Sequence, residues 1–71
     1  MYSLTVEQVI QFVGDCQPVT EEMVANHFGC HFITARRKLE GAVARKEVIV
    51  DDHDPEGRPL NKGKWRYALA T

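Results

Sequence analysis

A mainly helical α+β fold, three helices followed by a β-hairpin, is what this 71-residue sequence predicts, and three observations predict it. Residues 20–39, TEEMVANHFGCHFITARRKL, read as two helices around a tight turn. The stretch before them has apolar residues at helical spacing behind a capping sequence. The stretch after them changes period, giving a β-branched run and an alternating run separated by a polar loop. In that order the elements make a winged helix-turn-helix, with the hairpin as its wing.

Each element has a local reason. Thr5-Val6-Glu7-Gln8 has the form of a capping box, so the first helix begins there, and Val6, Val9, Ile10 and Val13 fall on one face. Gly14 and Pro18 bracket its end, and Gln17-Pro18-Val19 is a connector with room for one short edge strand, where a proline need not donate. Thr20 caps the second helix, with Glu21 and Glu22 in the first turn, where the helix dipole favours carboxylates. Val24 and Phe28 point inward. Ala25 supplies the small side chain that crossing helices require, and Gly29 the positive φ that stops the helix.

Cys30 and His31 complete the turn, and the third helix runs from Phe32 to Ala44 or Arg45 with Ala35, Leu39, Ala42 and Val43 inward. Residues 47–51, EVIVD, form one strand and residues 64–69, KWRYAL, the other. The loop between them carries Pro55, Gly57, Pro59, Asn61 and Gly63. There is no internal repeat.

The length fits a single domain over residues 1–71. Folding at this size removes only roughly 60% of the unfolded chain's surface from water, so a homodimer would add useful stability. No apolar run approaches the ~20 residues of a membrane span. The N-terminus lacks a basic region and cleavage site, which predicts a cytoplasmic protein. Cys16 and Cys30 are expected to be reduced thiols.

The net charge of −1 is unlike the basic balance usual for nucleic-acid binders, but its distribution is uneven. Residues 1–29 carry −4, residues 30–50 carry +3, and the rest balances. Screening confines these fields to about 8 Å at physiological salt, so a local basic face binds phosphate despite an acidic total.

The solvent face of the third helix gathers Ile33, Arg36 and Arg37. Arginine forks match guanine in the major groove, and an apolar side chain such as Ile33 or an exposed Phe32 matches a thymine methyl. Phe32 packing under the wing or in the core is at least an equal expectation. Thr34 is placed to bond phosphate, and His31 to cap the helix or do the same. Arg58, Lys62, Lys64 and Arg66, in the second half of the wing, suit the DNA backbone, whereas Asp51, Asp52 and Asp54 in its first half repel it.

The succession of elements, with Ala25, Gly29, the Ala35-Arg36 pair, Leu39-Glu40 and Trp65, resembles the small bacterial winged-helix regulators, most closely those of fimbrial (pilus) operons. The resemblance implies a transcriptional regulator that binds double-stranded DNA, often with a second regulatory protein. Lys38 and the acidic wing depart from that family. The rival expectation is a winged helix used as a protein-interaction module, without DNA affinity.

No enzyme is expected, because the sequence has no phosphate loop, nucleophile elbow or metal-ligand pair. No cofactor is expected either. Cys16, His27, Cys30 and His31 are metal-ligand types but lack the spacing of a zinc site, and residues 51–54 read as an exposed acidic turn rather than a cation site.

Overall fold

Thr5 and Gln8 start the first helix by closing on each other's backbone. Thr5 Oγ1 accepts from the Gln8 N–H at 3.2 Å and Gln8 Oε1 from the Thr5 N–H at 3.0 Å, satisfying two donors that a helix start leaves open. In the computed structural model, which describes residues 4–70, this helix (α1) spans Val6–Cys16. Residues 1–3 and 71 of the expected domain, including the first residues of the stretch read for a leader, lie outside the described residues. Val9 and Val13 of α1 are fully buried, with Val6 and Ile10 on their flank.

Gly14 stays within α1. A methyl group there would stand 2.9 Å from Leu69 Cδ1, so the absent side chain lets the helix lie close on the hairpin.

The second helix (α2, Glu21–Phe28) is capped by Thr20, whose hydroxyl accepts from the Met23 N–H at 3.3 Å. It ends at Gly29, which takes φ 67° with open space around it, so the glycine is required by backbone conformation rather than by crowding. The third helix (α3, Phe32–Ala44) has the span expected of it and buries Ala35, Leu39 and Ala42 completely. Phe28 and Val43 are only half-buried. Beyond α3, Lys46 adopts a left-handed conformation (φ 62°) and the Glu47 N–H reaches back to Ala42 O at 3.2 Å.

The strands β1 (Val48–Asp51) and β2 (Arg66–Leu69) pair antiparallel, Val48 opposite Leu69 and Asp51 opposite Arg66. Val19, in the connector before α2, bridges to Tyr67: its N–H donates to Tyr67 O at 2.9 Å and the Tyr67 N–H returns to Val19 O at 2.7 Å. This is the short edge strand for which the connector had room. It places β2 in the middle of the sheet, and Tyr67, 2% exposed, in the middle of the core beside Val19, Val24, Leu39 and Val48. Burial, with Glu21 nearby, raises the Tyr67 hydroxyl pKa above its ordinary value.

The wing differs from its expected form in two places. The returning strand begins at Arg66 rather than Lys64, because Lys62–Lys64 form a 3-10 turn. The Trp65 indole N–H donates to Leu60 O at 3.0 Å and holds that turn against the loop. The loop itself is structured. His53 bridges Pro59, the Leu60 N–H donates to Asp52 O at 2.8 Å, and the tip is a turn in which Asp54 Oδ1 accepts from the Glu56 and Arg58 N–H groups. Gly57, at φ 84°, closes it.

Candidate nucleic-acid interface

The turn between α2 and α3 fixes what the third helix presents. Cys30 N–H donates to Ala25 O at 3.0 Å, finishing α2, and His31 Nδ1 accepts from the Ile33 N–H at 3.2 Å, starting α3. His31 is thus the helix cap. That contact makes Nδ1 the acceptor and leaves the ring proton on Nε2 in the neutral imidazole. Phe32 and Ile33 follow with 44% and 42% of their surface exposed, and Arg37 is exposed one turn further on. Thr34 is half-buried.

Arg36 has a different environment from its neighbour. Its Nε donates to Glu21 Oε2 at 2.8 Å and its NH2 to Glu21 Oε1 at 2.9 Å, a two-pronged pair that ties the start of α3 to the start of α2. Glu21 is buried, 4% exposed, and the 3-10 turn lies over it: a methyl on Gly63 would be 3.4 Å from Glu21 Oε1. The hydrogen-bonded carboxylate holds the Arg36 guanidinium above its ordinary pKa. The guanidinium also stands over the Phe32 ring, 5.6 Å from its centre.

Arg36, expected to read bases, therefore spends its fork inside the protein. The physical reason is that a carboxylate buried at Glu21 requires a charged, hydrogen-bonding partner. Sequence reasoning placed Glu21 at a helix dipole and missed its second role, since the two residues are fifteen positions apart on different helices.

The remaining cations divide by engagement. Lys62 Nζ lies 3.0 Å from Glu40 Oε1 and over the Trp65 ring, which latches the 3-10 turn to α3. Arg66 lies 3.4 Å from Asp51 Oδ2 and donates to His53 O at 3.3 Å. Arg58 reaches Glu56 only loosely, at 3.7 Å, near the wing tip. Among the described residues, Arg37 and Lys64 form no ion pair. Lys64 borders a cleft of about 410 Å³ together with Phe32, Glu22 and Asn61, so this free cation at the wing base faces the exposed start of α3.

The acidic half of the wing is absorbed by the wing itself. Asp51 pairs with Arg66, Asp52 Oδ1 lies 2.7 Å from His53 Nδ1, and Asp54 caps the tip. Asp54-Pro55-Glu56-Gly57 is a legible turn sequence, with Asp first, Pro second and Gly fourth, and it was the available signal for this role.

The third surface with chemistry-bearing groups lies away from α3. His27 stacks on Phe12, ring centres 4.2 Å apart, beside Cys16 in a shallow cleft between α1 and α2. Among the described residues no group of three or more His, Cys, Asp or Glu is arranged to hold a metal ion.

The elements and their order define a winged helix-turn-helix domain. No protein-family model, curated protein or solved structure matches the chain. No helix among the described residues is long and apolar enough to cross a membrane.

Proposed function

We propose that this chain is a sequence-specific, non-enzymatic DNA-binding transcriptional regulator acting in the cytoplasm, with α3 in the major groove and the wing on the backbone. The observation that supports this reading most is the exposed start of α3. There Phe32, Ile33 and an uncommitted Arg37 are exposed, and Phe32 borders the cleft that Lys64 lines, at the place where a recognition helix meets base edges. Arg37 is the base-reading arginine, with Ile33 or Phe32 against a thymine methyl. Arg36 is a positioning residue, holding α3 on α2. Arg58, Lys62, Lys64 and Arg66 serve the phosphates, and the exposed pair of Lys62 with Glu40 is weak enough for a phosphate to compete with it. The resemblance to fimbrial-operon regulators agrees with this role.

Binding to a pool of mixed duplexes, followed by fluorescence anisotropy across a salt series, tests the proposal. Four or five phosphate contacts give a log–log salt slope of about −4. Lys64→Ala flattens it by about one for every sequence, and Arg37→Ala relaxes the sequence preference of a selected duplex. A second reading, a protein-interaction module, is favoured by the adjacent exposed Phe32 and Ile33. It predicts no binding to the pool at low salt.

A further inference from the structure

The cleft between the base of the wing and the start of α3 holds more chemistry than a phosphate contact uses. Phe32 gives it an apolar side. The ring is steadied by two neighbours, its centre 4.5 Å from that of His31 and 5.6 Å from the Arg36 guanidinium, yet 44% of the residue is exposed. Glu22 and Lys64 border the same cleft, and Gly63 lies close over Glu21, which holds the 3-10 turn against α2.

Asn61 completes the lining. It precedes the 3-10 turn without capping it, and among the described residues its side-chain amide makes no hydrogen bond. Its backbone, by contrast, is fixed on both sides. Asn61 O accepts from the Lys64 N–H at 2.8 Å, and Leu60 before it donates to Asp52 O at 2.8 Å and accepts from the Trp65 indole at 3.0 Å. A free amide on a fixed backbone is prepared for a partner outside the protein.

The surroundings of that amide select the partner. Glu22 has no ion partner among the described residues, so its carboxylate offsets the Lys64 ammonium and the interior of the cleft has no net positive charge with which to hold a phosphate. A neutral base edge fits there instead. In the major groove adenine alone answers both halves of an amide, its N6 amine donating to Oδ1 and its N7 accepting from Nδ2. Guanine offers two acceptors, which the Glu22 carboxylate opposes, and cytosine has no acceptor for Nδ2. The thymine opposite an adenine carries the methyl group that suits Phe32.

We propose that this cleft reads one A·T base pair in the major groove, with Asn61 on the adenine, Phe32 on the thymine methyl and Lys64 on the adjoining phosphate. The inference rests on the DNA-binding reading and adds to it a specificity-determining residue on the wing and the identity of one operator base pair.

Duplexes selected from a mixed pool by the parent and by Asn61→Ala test it. The parent's consensus should contain an A·T pair that the variant's lacks, the other positions being shared. Putting 7-deazaadenine at that position, which removes N7, should weaken the parent about tenfold and Asn61→Ala less than about twofold. Deoxyuridine in place of the paired thymine should weaken both by about fourfold, the worth of one buried methyl. In Phe32→Ala, checked for folding by circular dichroism, that fourfold difference should vanish. The salt slope of Asn61→Ala should equal the parent's, since no phosphate contact is lost. A selected site with no A·T pair dependent on Asn61, a loss in Asn61→Ala that is uniform across sequences, or a 7-deazaadenine effect as large in the variant as in the parent would overturn the proposal and leave DNA binding standing. A parent that binds no duplex at low salt would overturn both.

Discussion

The two ends of α3 are built from the same parts in opposite surroundings. Before its start a residue takes the left-handed conformation, Gly29 at φ 67°, and an arginine in its second turn, Arg36, bridges to an acid on α2. After its end Lys46 takes φ 62°, and Arg45 bridges to Glu7 on α1 at 2.8 Å. At the first end the acid is buried; at the second its side chain is 68% exposed. The lesson is that the bond length of an ion pair says little about its worth. What decides is how much water its members lose and whether removing one strands the other.

Removing Arg36 should break this comparison most forcibly. Arg36→Ala leaves the Glu21 carboxylate buried without its partner, and thermal unfolding should fall by on the order of 10 °C or more. Arg36→Lys should recover only part of that, since an ammonium cannot span both carboxylate oxygens as the fork does.

The left-handed residues sharpen the comparison at intermediate size. Gly29→Ala places a Cβ where φ is positive and should cost about 1 kcal/mol, roughly 5 °C. Lys46→Gly relieves the same strain at the other end and should raise the transition by about 2–3 °C, the gain being offset in part by glycine's greater freedom when unfolded.

Arg45→Ala should have the smallest effect, a lowering of less than roughly 3 °C at pH 7. It has a pH signature. The hydrogen bond from Arg45 holds the Glu7 carboxyl below its ordinary pKa, so the pair's stabilisation is full above the unfolded value, about 4.3. It is lost progressively as pH falls below that value and through the lower folded one, and thermal melts of parent and variant should therefore draw together over that acidic range.

What could be read in advance follows from which interactions are local. Thr5 with Gln8, Thr20 with Met23, Gly29 and the valines of α1 act within one turn of helix, and their spacing states their roles. The short strand at Val19 was legible as a possibility, since Pro18 confines it to an edge. The pairing of Arg36 with Glu21 was not legible, because it depends on how two helices cross and which face of α2 sinks beneath the 3-10 turn. The same limit applied to Lys64 and Trp65. Alternation suggested strand for both, but the indole's reach to Leu60 O holds a turn just before β2. Within the candidate site, sequence placed Ile33 and Arg37 on the solvent face correctly, while the partners of Lys62, Arg58 and Arg66 required the folded wing.

The central position of β2 also governs the order in which the molecule comes together. Val19 and β1 do not touch each other through backbone bonds; both are stitched to Tyr67 and its neighbours, which lie near the far end of the chain. During synthesis the helices emerge first and their short-range turns can close at once, but two of the sheet's three members wait for the third. Until residues 66–69 leave the ribosome, Val19, Val24, Leu39 and Val48 lack the aromatic ring around which they pack, and the nascent chain is a set of helices without a finished core.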